Sequence, residues 1–321
     1  MKAVQITETG GPEVLKYIDV PDPTPGPGQA LIDIKAIGVN FTDVYSRKGM
    51  NPPALPSILG GEASGVVSQV GEGVTEVAVG DLVAYSGVPS SYAEKVVAPA
   101  ARLVKMPASV NAEQGAAIML QGMTAHYLCH STYPIKQGDT AIVHAGAGGV
   151  GLILTQMVKF LGGTVISTVS TDEKAALSRE AGADHVIKYT EQDFEEEVMK
   201  ITDGAGVEAV FDSVGKTTFD KGIACLKDRG YMVLYGMSSG QVDPVPIPML
   251  NRKSLFLTRP GLAAYIATRE DLLQRAGDVL SWIQSGKLKL RIHGTFALKD
   301  VAEAHRQLEG RLTTGKLLLV P

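Results

Sequence analysis

Apolar and polar positions along this chain fall into three successive rhythms. The N-terminal third reads as strands and turns. Pro21–Gly28 (PDPTPGPG) forms turns, because proline fixes φ and glycine admits positive φ. Directly after it, Ile32, Ile34 and Ala36 alternate with Asp33 and Lys35, the two-residue period of a half-buried strand. Glycine-punctuated β segments follow at Gly65–Val70 and Gly80–Tyr85.

From Thr140 the rhythm becomes strand and helix in alternation. Apolar runs at Thr140–Val143, Thr164–Thr168, His185–Ile187, Glu208–Phe211, Tyr231–Tyr235 and Ser254–Thr258 predict strands. Helical segments lie between them: Asp172–Ala181, stopped by Gly182, then Gln192–Thr202 and Thr218–Leu226. Strands joined by crossover helices give an α/β fold with a doubly wound parallel sheet. Past Pro260 the pattern changes again. Leu272, Ala276, Val279, Leu280 and Ile283 form an apolar helix stripe, a short helix covers Asp300–Leu308, and Lys316–Val320 is a closing strand. The doubly wound sheet is already complete by then, so this tail is expected to return to the β-rich first domain.

Composition narrows the field. A chain of 321 residues is long enough for about two domains. A net charge of −4 offers no cationic surface for nucleic acid. Two cysteines, Cys129 and Cys225, cannot make a disulfide scaffold and suit a reducing compartment. The opening MKAVQITETGG has no apolar core of a secretory signal. No apolar run approaches the roughly 18 residues that cross a bilayer. A cytoplasmic protein without nucleic-acid or membrane partners is expected.

The segment TAIVHAGAGGVGLILTQMVKFLGG carries the clearest chemistry. Gly146, Gly148 and Gly151, with Ala147, Gly149 and Val150 between them, satisfy G-x-G-x-x-G after an apolar strand and before an amphipathic helix. The first glycine allows the tight turn and the second lets the backbone approach a pyrophosphate. The third brings the helix near the sheet, its N-terminus facing the anion. At the end of the next strand, where an NAD site carries Asp or Glu for the ribose 2′-hydroxyl, stand Ser170 and then Lys174. A hydroxyl and a cation suit a 2′-phosphate, so NADPH is favoured over NADH. Asp172 is expected on the solvated helix start, where an acid favours the dipole.

HAGAGGVGLI, AIGVNFTDVYSRKG, LGGEASGVV, VFDSVG, LYGMSSG, LTRPGL and TTGKLLLVP run in order along the chain. Together they resemble the zinc-independent medium-chain dehydrogenases/reductases, and within them the NADPH:quinone oxidoreductases, or zeta-crystallin-like proteins. The resemblance implies a GroES-like domain, 1–122 plus 265–321, into which a Rossmann domain, 123–264, is inserted, with cofactor and substrate meeting in the cleft between them. It implies a homodimer through the sheet edge around Val245–Thr258. It places Asn40, Asp43 and Tyr45 along the nicotinamide and substrate pocket and Thr124 near the nicotinamide. Gly236, Met237 and Ser239 follow the fifth sheet strand at its carboxyl end, and Tyr189, Arg259 and Arg311 match cofactor contacts. Met237 and Met50–Asn51 depart from the better-known bacterial members, which points to an adaptable apolar pocket.

Zinc-dependent relatives carry a catalytic Cys where this chain has Asn40 and a His where it has Gly61; Glu62 remains and reads as a polar cleft residue. His126, Cys129 and His130 have helical metal-ligand spacing, but Cys129 reads better as a buried apolar residue. No metal is expected. No tyrosine precedes a lysine by four residues, and no G-x-S-x-G elbow occurs. Catalysis is then expected from proximity and orientation, with hydride delivered from NADPH to a quinone or an α,β-unsaturated carbonyl. Water or Tyr45 supplies the proton. The alternative is a non-catalytic NADPH-binding protein.

Overall fold

The computed structural model describes residues 1–321. The chain forms two compact units: Met1–Met123 together with Ile266–Pro321, and Thr124–Tyr265.

The first unit holds two sheets. The smaller joins Lys16–Asp19, Lys2–Ile6 and Ser57–Ile58. The larger runs Ile292–Ala297, Lys316–Val320, Gln29–Val39, Glu62–Val70, Leu82–Ser86 and Val104–Lys105, with Lys95–Pro99 paired to the start of the long strand. That long strand contains the Ile32, Ile34, Ala36 alternation, in which Lys35 is exposed and Asp33 half-buried. The alternation stops at Ile37, because Ile37, Gly38 and Val39 are all buried. Here the closing strand lies alongside, Leu317 opposite Val39 and Leu319 opposite Ile37. The C-terminal tail therefore returns to the first unit, and Lys316 arrives beside Asn40. Ile6, Ile32, Ile37, Tyr85, Leu103 and Leu317 share the main apolar core. The helix Arg269–Gln284 buries Leu272, Ala276, Val279 and Leu280 of the expected stripe, while Ile283, in its last turn, is half-buried.

The second unit is a six-stranded parallel sheet in the order His185–Lys188, Thr164–Val169, Thr140–Val143, Val207–Asp212, Leu226–Leu234, Phe256–Thr258. Each expected apolar run contributes a strand. The fifth strand starts earlier than its composition suggests, because helix Phe219–Cys225 passes straight into it and Leu226 pairs with Val207 across a register shift. Chain order reverses between Thr140–Val143 and Val207–Asp212. Such a switch point leaves a crevice at the carboxyl ends of the strands, where doubly wound sheets bind ligands.

Helix Gly149–Phe160 begins directly above this point. A Cβ on Gly151 would lie 2.3 Å from Ala145 O and 2.8 Å from Gly146 Cα, both of them backbone atoms. The helix can approach the turn only because that Cβ is missing. Gly151→Ala is expected to destabilise the unit by about 1–3 kcal/mol, the usual range for overpacking. Thermal melting checks this, and an unchanged midpoint would refute the close-approach account.

Candidate functional site

The turn His144–Gly151 is built from the sheet outward. His144 N–H donates to Phe211 O at 3.1 Å, and its Nδ1 lies 2.8 Å from Thr168 Oγ1, so the residue ties three strands together. Burial lowers its imidazole pKa. Gly146 N–H donates to Thr168 O and Gly148 N–H to Ala145 O. The left-handed backbone of the turn sits on Ala145, at φ 52°, and not on a motif glycine. Gly146 is required for a different reason: a Cβ there would lie 1.8 Å from Ser167 Oγ. Gly148 precedes the helix without any side-chain cap. The first-turn N–H groups around Gly149, Val150 and Gly151 thus open onto the switch point, the arrangement that receives an anion.

Ser170 follows strand Thr164–Val169, and Tyr189 follows the adjacent strand His185–Lys188, donating its N–H to Val169 O at 3.1 Å. Thr171 caps the next helix by accepting Lys174 N–H, which puts Lys174 in its first turn beside Ser170. Asp172 is exposed, and its carboxylate is paired with Lys188 Nζ at 2.8 Å. That hydrogen bond and charge hold Asp172 below the ordinary carboxylate pKa. The acid nearest the strand end is therefore neutralised by a neighbour, while Ser170 and Tyr189 stand at adjacent strand ends and Lys174 in the first turn of the helix that follows.

Asp212 ends the fourth strand, fully buried. Its Oδ1 accepts Val214 and Gly215 N–H at 2.7 and 3.0 Å, and its Oδ2 accepts the Thr218 hydroxyl. Sequence reasoning passed over this residue inside VFDSVG. Gly236 and Met237 leave the fifth strand next to it, Gly236 N–H donating to Asp212 O. Ser239 donates its hydroxyl to Val214 O and accepts Thr217 N–H, so that side chain braces the loop. Arg259 follows the sixth strand and donates to Leu234 O at 3.0 Å.

In the first unit, Asn40 ends the long strand and starts helix Phe41–Arg47, with Asp43 forming a capping box. Asp43 Oδ2 accepts Asn40 N–H at 2.9 Å. The Asn40 side chain faces Glu62 and Lys316, both without solvent exposure. Lys316 Nζ lies 2.6 Å from Glu62 Oε2 and 2.7 Å from Asn40 Oδ1. Glu62 Oε1 also accepts Leu120 N–H from helix Ala112–Tyr127. A lysine opening an apolar strand reads from sequence as a solvated end; only the pairing of Leu317 with Val39 reveals its burial.

A second buried chain leads away from Asp43. Tyr92 Oη is 3.0 Å from Asp43 Oδ2 and 2.9 Å from His305 Nε2, and His305 Nδ1 is 3.1 Å from Arg47 Nη1. Arginine only donates, so His305 Nδ1 accepts and Nε2 carries the hydrogen. Nε2–H then donates to Tyr92, whose hydroxyl donates to Asp43. Arg47 also pairs with Glu309 at 2.7 Å, which Lys48 neutralises further. Burial lifts Asp43 to about 7, against the Asn40 N–H, the Tyr92 hydroxyl and the Lys316 charge. Burial depresses His305 to about 3, with Arg47 adding to the effect.

The remaining expected site residues are placed as follows. Tyr45 is half-buried in the same helix as Asn40 and Asp43, its ring 6.0 Å from that of Phe41. Thr124 is buried in helix Ala112–Tyr127. Arg311 lies on an exposed turn at φ 56°, and Met50 is exposed. At the former metal-spaced trio, Leu128–Thr132 forms a π-turn, the His126 and His130 rings stack 4.4 Å apart, and Cys129 Sγ donates to Ala125 O. Burial pushes the Cys129 thiol up.

The residues do not fit a zinc ion. Of Asn40, Gly61 and Glu62 only Glu62 has a zinc-ligating side chain, and an ammonium already sits against it. No three His, Cys, Asp or Glu side chains converge closely enough to share a metal.

Residues 26–108 match the alcohol dehydrogenase GroES-like domain family, and residues 149–276 the zinc-binding dehydrogenase family. The chain is 42% identical to a quinone oxidoreductase of Pseudomonas aeruginosa, covering 100% of this chain and 99% of the relative. It is 40% identical to a 2-haloacrylate reductase of a Burkholderia species, covering 99% and 98%. The structure of Escherichia coli quinone oxidoreductase complexed with NADPH superposes with a TM-score of 0.98 at 42% identity, over 100% of both chains.

Asp43 and His305 act oppositely on stability. Asp43 titrates near 3.8 when unfolded and about 7 when folded, so its contribution is complete below 3.8 and is lost as pH rises through 7. His305 falls from 6.5 to about 3, so its contribution is complete above 6.5 and is lost as pH falls through 3. Between about pH 4.5 and about pH 6.5 the two slopes cancel. Removing one exposes the other. The stability gap between the wild type and Asp43→Asn is expected to widen toward low pH by roughly 1.4 kcal/mol per unit. Urea denaturation at both pH values measures it, and a constant gap would mean that the carboxyl is not held protonated.

Proposed function

Because the chain belongs to the quinone oxidoreductase family of the medium-chain dehydrogenases/reductases, we propose that it is an NADPH-dependent oxidoreductase acting on quinones or related α,β-unsaturated carbonyls. The observation that carries the reading is the uncapped helix start at Gly148–Gly151, which opens onto the switch point of the parallel sheet.

The residues there fit a dinucleotide phosphate. The open backbone N–H groups of Gly149, Val150 and Gly151 would hold the pyrophosphate, and Asp212 fixes the neighbouring loop through Val214, Gly215 and Thr218. Ser170, Lys174 and Tyr189 would hold the 2′-phosphate, and the Asp172–Lys188 pair removes the repulsion that a bare acid would exert. Gly236, Met237 and Arg259 would line the same ligand further along, with Thr124 and Arg311 as additional contacts. Bound NADPH supplies a hydride, and the reduced acceptor takes up one further proton. Asn40, Asp43 and Tyr45 are assigned to the nicotinamide and substrate side, where Tyr45 or water delivers that proton. We assign cofactor binding to 123–264 and substrate binding to 1–122 plus 265–321.

No helix is long and apolar enough to cross a membrane. We place the protein in the cytoplasm as a homodimer joined along the sixth strand, where Phe256 and the preceding Ile247 are exposed. An apolar sheet edge is a natural pairing surface.

Purified protein is expected to oxidise NADPH in the presence of 1,2-naphthoquinone or an α,β-unsaturated ketone, followed at the NADPH absorbance. Binding of NADPH without any acceptor-dependent oxidation would point instead to a non-catalytic binding protein. In fluorescence titrations Lys174→Ala should weaken NADPH by about tenfold or more, the scale of a lost charge-assisted hydrogen bond. NADH should be nearly unaffected. Equal weakening of both, or of neither, refutes the 2′-phosphate assignment.

A further inference from the structure

The polar atoms around Asn40 permit one orientation of its amide. Lys316 Nζ, which only donates, lies 2.7 Å from one end, so that end is Oδ1. Glu62 Oε2, an acceptor paired with that same ammonium, lies 2.9 Å from the other end, so that end is Nδ2. The second hydrogen of Nδ2 goes to Gly38 O at 3.1 Å. A flipped amide would turn N–H toward the ammonium and oxygen toward the carboxylate. Glu62 cannot rotate to relieve this, because its Oε1 holds Leu120 N–H at 2.6 Å. Both N–H groups of Asn40 are therefore engaged within the unit.

From this we infer that Asn40 offers a ligand no N–H and can meet one only as an acceptor, through the Oδ1 that also faces Lys316 and the capping-box N–H of Asp43, and that Glu62 and Lys316 are the positioning residues that enforce it. The inference rests on the assignment of Asn40 to the nicotinamide and substrate side made above. Whatever touches Asn40 must bring its own hydrogen: a ribose hydroxyl or a carboxamide N–H. A quinone or enone carbonyl is an acceptor and finds no donor in this side chain. Its developing negative charge has to be met by another group or by water. Asparagine suits the position because one planar group answers an ammonium, a carboxylate and a backbone carbonyl together.

Exchanging amide and carboxylate tests this. Glu62→Gln keeps its oxygen on Leu120 N–H and so turns an NH2 toward both Nδ2 and the ammonium. Asn40→Asp sets a second carboxylate against Glu62. In the double variant Asn40→Asp/Glu62→Gln the charges balance again: the new amide donates to the new carboxylate and Lys316 keeps its partner oxygen at position 40, while the ammonium loses its oxygen at position 62 and Gly38 O loses its donor. No side-chain N–H is then left at position 40. Turnover of NADPH with 1,2-naphthoquinone, NADPH affinity by fluorescence, and melting midpoints are compared for all four proteins.

Each single change is expected to cost roughly tenfold or more in kcat and to lower the midpoint. The double variant should melt above Asn40→Asp, because the repulsion between two carboxylates is relieved, and regain about tenfold in kcat over it, since contacting residues couple non-additively. A double variant that melts above Asn40→Asp but stays as slow as it would show that an Asn40 N–H serves the reaction, overturning the acceptor assignment. Melting losses that merely add would overturn the lock. If the wild type reduces no acceptor at all, the functional reading fails separately. The midpoints then decide the lock, and recovery or continued loss of NADPH affinity in the double variant decides the acceptor role.

Discussion

A buried ammonium must find a buried anion, and in this chain that requirement joins the two ends of the first unit. Lys316 enters on the closing strand and Glu62 on a central one, and neither is exposed. Removing one partner of such a pair leaves an uncompensated charge in the interior, which costs about 3–5 kcal/mol. The pair therefore fixes where the tail returns, and the pairing of Leu317 with Val39 follows the same register. Asn40 sits immediately beyond that register, so the position of a site residue depends on a contact between segments far apart in the chain. The capping interaction from Asp43 then sets the first turn of the helix bearing Tyr45.

The second unit reaches rigidity by another route. Its sheet is apolar and parallel, and the polar groups at its carboxyl end are satisfied by loops instead of ion pairs. Asp212 alone organises three groups of the following turn, and Ser239 closes that turn from the other side. Close approach replaces hydrogen bonding at Gly146 and Gly151, where any side chain would collide with Ser167 or with backbone. Together these contacts hold an uncapped helix start in a fixed place. A preformed set of N–H donors need not reorganise to receive a phosphate, which is why such sites bind anions strongly.

Most of the fold was legible in the sequence, and the reasons are physical. Parallel strands buried on both faces read as continuous apolar runs, so the central strands of the second unit stood out, as did the Leu272–Leu280 helix stripe. The glycine turn was legible because each glycine serves a local purpose. What stayed hidden depended on distant partners. Lys316, Tyr92, His305 and Arg47 carry no local signal, since a lone polar residue near a strand or helix end reads as solvated. Their burial emerges only when Asp43 and Arg47 of one helix, Tyr92 and His305, brought from three parts of the chain, line up in one chain of hydrogen bonds. Glu62 was visible as a residue, but its partner was not. Ala145 was also unexpected, because a left-handed backbone usually marks a glycine.

Accounting for donors and acceptors separates residues that hold the scaffold from atoms that can meet a ligand. Ser239 has its hydroxyl engaged in both directions, and Asn40 has both N–H groups engaged, although both residues stand at positions assigned to the pocket by family resemblance. The first-turn N–H groups after Gly148 differ, because no side chain caps them. Orientation follows the same logic along the buried chain from Arg47. A guanidinium can only donate, so His305 must accept from it, and each later hydroxyl or ring N–H is forced to point toward Asp43. Asp43 is therefore surrounded by donors and yet is buried deeply enough to hold a proton near neutral pH. Those two tendencies oppose each other within one carboxyl group, and burial is the larger. The charge on Asp43 is thus set by its enclosure, while the direction of the hydrogen bond reaching it from Tyr92 is set by an arginine three groups away.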